Sequence, residues 1–90
     1  MGIAAIKIKL MPVSPEVNLE DIKKEAKESI EQKGGKNCSF EEELIAFGLR
    51  AVIAFFAWPE EKELENLEEE LKKIERVNSV QVIDMRRAIG

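Results

Sequence analysis

The sequence predicts an α+β sandwich in which strand, helix, strand, strand, helix and strand follow one another, and three observations point to it. Apolar residues recur at every second position in the opening and closing stretches and at every third or fourth position in two stretches between them. Proline, glycine and asparagine fall at the junctions, where a chain turns. One central run, LRAVIAFFAW, is apolar at nearly every residue, as a strand covered on both faces would be. A chain of 90 residues is too short for two independent cores, so residues 1–90 are read as one domain.

From Ile3 to Met11, the residues Ala4, Ile6, Ile8 and Leu10 alternate with Ala5, Lys7 and Lys9, which is strand periodicity with one dry face. Pro12, Ser14 and Pro15 stop it, and Asn18 followed by Asp21 resembles a capping box that starts a helix. Leu19, Ile22, Ala26 and Ile30 give that helix one apolar stripe, and Lys33-Gly34-Gly35 supplies its stop. Asn37 to Glu43 reads as an edge strand or hairpin arm, because Phe40 stands among glutamates that make poor β composition. Gly48 marks the hinge, and Leu49 to Trp58 is the interior strand. Pro59 then suits the first turn of a second helix, with Glu60 and Glu61 at its positive end and Leu64, Leu67, Leu71 and Ile74 as its stripe. Val77 to Met85 is the last strand, followed by a short basic tail, Arg86-Arg87. Two right-handed crossovers place both helices on one face of a four-stranded antiparallel sheet, a ferredoxin-like β-α-β-β-α-β sandwich.

The composition excludes several functions. Acidic residues outnumber basic ones 18 to 14 and no basic run exceeds two residues, so direct nucleic-acid binding lacks its electrostatic footprint. With no histidine, no tyrosine and the single cysteine Cys38, most nucleophile and base pairs and most transition-metal sites are absent, and no enzyme activity is expected. Glu41, Glu42 and Glu43 are neighbours on a strand and point to alternating faces, so they form a solvated arm and not a metal site. A phosphate cradle after the first strand would need backbone N–H groups, and MPVSPEVN offers two prolines and no glycine, which argues against an acylphosphatase-like pocket. The opening MGIAAIKIKLMP carries lysines inside its apolar run, and no window is long enough to span a membrane, so a cytoplasmic protein is expected.

The unusual segment is IAFGLR. Three apolar residues, Ile45, Ala46 and Phe47, precede Gly48 at a hairpin apex, where residues are normally polar. On chemistry alone, Phe47 folded back onto the core is favoured over Phe47 as an exposed anchor. Arg86 and Arg87 read, by the same standard, as a solvated pair.

The opening strand followed by MPVSPEVNLEDIK, the central IAFGLRAV and the closing VNSVQVIDMRR resemble, in order and spacing, the archaeal elongation factor 1-beta family. The resemblance implies a guanine nucleotide exchange factor that promotes GDP release and GTP loading on the GTPase elongation factor 1-alpha during protein synthesis. It implies no cofactor held by this chain: the GDP or GTP and the Mg²⁺ belong to the partner. Phe47 would be an apolar wedge or anchor flanked by Ile45, Ala46 and Gly48, and Arg50 stands where eukaryotic relatives carry a lysine. Those relatives use a further lysine near the C-terminus at the partner's Mg²⁺ site. Here Asp84 is followed by Arg86 and Arg87 and by no lysine, so that role does not carry over residue by residue. Readings of other classes are a ferredoxin-like sensor of a small molecule and a protein-interaction module with a different partner.

Overall fold

The fold is described from a computed structural model covering residues 2–88. The first strand, β1 (Ile3–Pro12), buries Ala4, Ile6, Ile8, Leu10 and Pro12 and turns Ala5, Lys7, Lys9 and Met11 to the other face, as its alternation predicts. Next in sequence come α1 (Leu19–Gln32), β2 (Lys36–Ala46), β3 (Leu49–Pro59), α2 (Glu65–Lys72) and β4 (Val77–Ala88). The four strands form one antiparallel sheet in the order β2-β3-β1-β4. β1 and β3 are therefore central, and β2 and β4 are the edges.

Both helices lie on one face. Ile22, Ala26 and Ile30 of α1, together with Leu67, Leu71 and Ile74 from α2 and its exit, pack on Ile6, Ile8, Leu10, Val52, Ala54, Phe56 and Trp58. At the start of α1 the Asn18 Oδ1 accepts from the Glu20 N–H at 3.0 Å. The reciprocal half of the expected capping box is replaced: the Asp21 carboxylate accepts from the Arg76 guanidinium at 2.7 Å, tying α1 to the approach of β4. The helix stops as expected, with Gly34 at φ 109° and the Gly35 N–H bonded to the Ile30 carbonyl at 2.8 Å.

Three boundaries differ from the sequence reading. Pro59 does not begin the second helix; it ends β3, opposite Ile3, and the Glu60 N–H bonds back to the Gly2 carbonyl at 3.0 Å. Only at Glu65 does α2 begin, because the Trp58 indole N–H donates to the Lys62 carbonyl at 3.0 Å and holds residues 60–64 as a loop. Arg86 and Arg87 are not a tail but part of β4, opposite Ala5 and Ala4. Finally, β2 runs to Ala46, well past Glu43, because pairing with the apolar β3 carries the glutamates along.

The helix-free face is partly roofed by long charged side chains. Ala51 and Ile53 are buried there, although they lie outside the core formed with the helices. Lys9 on β1 reaches Glu43 on β2 at 3.3 Å, across the intervening β3, and the Lys7 ammonium sits 5.0 Å from the centre of the Phe55 ring. The aliphatic stems of these lysines cover apolar surface while their heads remain wet.

Candidate functional site

β2 and β3 are joined by a two-residue turn, Phe47-Gly48, closed by the pair Ala46 and Leu49. Both turn residues take positive φ, 52° and 79°, the primed geometry that matches the twist of a hairpin. A Cβ placed on Gly48 would meet nothing within 4 Å, so glycine is required there by its backbone angle and not by space. A phenylalanine at positive φ is uncommon.

This turn settles where Phe47 points. Leu10 pairs with Val52 and β1 ends at Pro12, so the last residues of the hairpin run beyond the central strand. No core lies within reach of the apex, and Phe47 is 101% exposed. The expectation that it folds back onto the core is overturned. Leu44 and Ile45 are also exposed, Ile45 within a register shift between Leu44 and Ala46. Exposed Val13 leaves β1 at the same end. Leu44 and Val13 were not singled out from sequence; an apolar residue following three glutamates on an edge strand was the available signal for Leu44.

A chain of charges links the hairpin to α1. Lys23 bonds Glu20 at 2.9 Å and Glu42 at 2.8 Å, and Glu42 in turn reaches the Arg50 guanidinium at 3.5 Å. The hydrogen bond from Lys23 holds the Glu42 carboxyl below its usual range, and the bond to Glu42 raises Lys23. Arg50 thus keeps an exposed guanidinium near the apex, anchored by one internal acid.

Asp84, Arg86 and Arg87 lie elsewhere. They pair with Lys7, Ala5 and Ala4, from the middle of β1 to the end away from the hairpin apex. Arg50 falls level with Pro12, so about five to eight residues of extended strand separate it from the second group, roughly 16–26 Å. The structure brings Ile45, Ala46, Phe47, Gly48 and Arg50 together at one end and Asp84, Arg86 and Arg87 at the other, and the two clusters do not meet. The adjacent arginines also diverge: Arg86 bonds Asp84 at 3.1 Å on the helix-free face, whereas Arg87 bonds Glu60 at 3.0 Å on the helix face. The long dimension of the molecule is 42 Å.

Among the described residues no three His, Cys, Asp or Glu side chains converge as a metal site would. Cys38 is half-buried, and burial, reinforced by the nearby Glu31 carboxylate, pushes its thiol up to about 11. Phe56 and Trp58 are buried edge to face at 5.8 Å, so the central strands do not present them as stacking platforms. No helix is long and apolar enough to cross a membrane among the described residues.

Residues 5–88 match the family described as the EF-1 guanine nucleotide exchange domain. The chain is 40% identical to elongation factor 1-beta of Methanococcus aeolicus over 87 residues, 94% of this chain and 97% of the relative. It is 42% identical to the protein of the same name from Methanothermobacter thermautotrophicus over 88 residues, 97% and 98% of the two chains. For the Methanosarcina acetivorans protein the identity is 39% over 88 residues, 97% and 99%. Among solved structures, one titled BlrP1 BLUF superimposes with a TM-score of 0.56 at 14% identity, over 100% of this chain and 57% of that one, a likeness of fold alone.

Proposed function

This chain belongs to the EF-1 guanine nucleotide exchange domain family, and from that premise we propose that its partner is the GTPase elongation factor 1-alpha, from which it releases GDP so that GTP can load during protein synthesis in the cytoplasm. The observation that carries the reading is the apex of the β2-β3 hairpin. A fully exposed phenylalanine on a two-residue turn, with Leu44 and Ile45 beside it, is an apolar anchor held clear of its own core. A rigid turn of this kind loses little conformational freedom when it docks, so the contact can be strong for its size.

Exchange requires no bond chemistry from this chain and no cofactor of its own; GDP, GTP and Mg²⁺ are ligands of the GTPase. A factor of this kind binds the nucleotide-free partner more tightly than the GDP-bound form, since only differential affinity shifts that equilibrium. Ile45, Ala46, Phe47, Gly48 and Arg50 form the anchoring end of the proposed contact. Asp84, Arg86 and Arg87, at the other end of the sheet, supply the charged end. A single rigid sheet can therefore touch two separated areas of one partner. The test is release of a fluorescent GDP analogue from elongation factor 1-alpha, with the wild-type chain, with Phe47→Ala and with Arg86→Ala/Arg87→Ala. The wild type should accelerate release and Phe47→Ala should lose most of the effect. No acceleration at saturating protein would overturn the reading, and full activity of the double arginine variant would remove the charged end from it.

A further inference from the structure

The late start of α2 leaves a groove on the helix face at the far end from the hairpin. Met85 lies on the inner face of β4, opposite the buried Ile6, yet it is 57% exposed, because α2 begins only at Glu65 and does not reach over it. The floor is Ala4, Ile6, Trp58 and Met85, Leu64 forms one wall, and the space is about 530 Å³, ample for a large side chain with its flanking backbone. The rim consists of Glu60, Lys62, Glu63, Glu65 and Arg87.

Both rim cations are already engaged. Arg87 bonds Glu60 at 3.0 Å, and Lys62 donates to the Lys33 carbonyl with its ammonium 5.2 Å from the centre of the Trp58 ring. Glu63 and Glu65 have no ion-pair partner among the described residues, and α2 continues with Glu68, Glu69 and Glu70. The rim thus sets three carboxylates, Glu60, Glu63 and Glu65, against the two cations Lys62 and Arg87, so the mouth of a groove with an apolar floor is net negative by one charge. That sign favours a cationic occupant over a nucleic acid or an anionic membrane, and a second copy of a chain with net charge −4 is disfavoured.

We propose that this groove is a docking site for a positively charged polypeptide segment that carries an apolar anchor. The anchor fills the space over Met85 and Trp58, and flanking Lys or Arg residues pair with Glu63 and Glu65. The site is separate from the hairpin apex; it shares Arg87 with the charged end named above, but its occupant is argued from the groove alone and does not depend on the exchange reading.

The chain supplies its own reporter, since Trp58 is its one tryptophan and lies in the floor. The experiment titrates the full chain with acetylated Lys-Leu-Arg-Leu-Lys and with acetylated Glu-Leu-Glu-Leu-Glu, following Trp58 emission and the Met85 methyl resonance. The basic peptide should give a saturable change and the acidic one none. Glu63→Gln/Glu65→Gln and, separately, Met85→Ser should each weaken binding at least fivefold, while Phe47→Ala leaves it unchanged. Absence of any shift at millimolar basic peptide overturns the proposal. So do equal binding of the two peptides, unchanged affinity in the glutamine variant, or a saturable response to an RNA oligonucleotide or to anionic phosphatidylglycerol vesicles in place of the peptide.

Discussion

β2 and β3 are the two arms of one hairpin, 11 residues each, yet β3 is buried along most of its length and β2 is exposed along most of its own. β3 lies between β1 and β2, with helices on one face and the Lys9–Glu43 roof on the other, so both faces demand apolar residues. β2 has one neighbour and carries a row of glutamates. Toward the apex the contrast reverses in meaning. The apolar residues of β3 are consumed by the core, while Leu44, Ile45 and Phe47 have no core to enter. An apolar side chain in β3 reports packing, whereas at the apical end of β2 it lies outside any core.

Substitutions can break this contrast, and the largest effect is expected in the buried arm. Phe56→Ala removes a core ring and should cost about 3–5 kcal/mol of stability in chemical denaturation. Phe47→Ala should stay within about 0.5 kcal/mol of wild type in the same measurement, while losing exchange activity. If Phe47→Ala unfolds the chain, the apex belongs to the core after all. Gly48→Val comes next: with open space around the position, its cost is that of a β-branched residue at positive φ, about 1–3 kcal/mol, visible in thermal unfolding. Gly48→Asn should recover most of it, since asparagine tolerates that backbone.

Smaller effects sharpen the comparison. Trp58→Phe keeps an aromatic ring in β3 but loses the indole donor to the Lys62 carbonyl, and should cost about 1 kcal/mol, with the loop at 60–64 exchanging amide hydrogens faster. The smallest effect is in the exposed arm. The Glu42 carboxyl is lowered by its bond to Lys23, so its contribution is present above the unfolded carboxylate range and fades as pH falls through the folded value. Lys23 is raised, so its share is present below the ordinary lysine range and fades as pH rises through the folded value. A Glu42→Gln variant should therefore melt slightly below wild type between about pH 5 and pH 10, with the difference closing as pH falls below the lowered Glu42 range and shrinking in high salt.

The elements with strong local periodicity were legible from sequence. β1, α1 and β3 obey patterns that their own residues enforce, and the apex of IAFGLR was conspicuous because apolar residues rarely occupy a turn tip. Pro59, Glu60 and Glu61 have the composition of a helix start, but pairing of Pro59 with Ile3, distant in sequence, keeps them in the sheet and its margin. Arg86 and Arg87 look like a tail because two adjacent charges have no alternation, yet β1 pairs with them. The direction of Phe47 depended on how far the hairpin outruns Pro12, a matter of register between strands. That register also separates the two candidate clusters, which no spacing along the chain discloses. The GTPase partner proposed above rests on family resemblance and not on any residue's chemistry.

The register shifts in the two edge strands have a further consequence. β2 departs from regular pairing between Lys36 and Ser39 and again between Leu44 and Ala46, and β4 does so at the positions facing Lys7–Ile8 and Met11–Pro12. Free edges otherwise serve as templates on which another chain can add strands. Irregular edges studded with glutamates and arginines deny such an intruder a continuous ladder of hydrogen bonds, which leaves the uncovered aromatic tip as a contact made by side chains and not by strand addition.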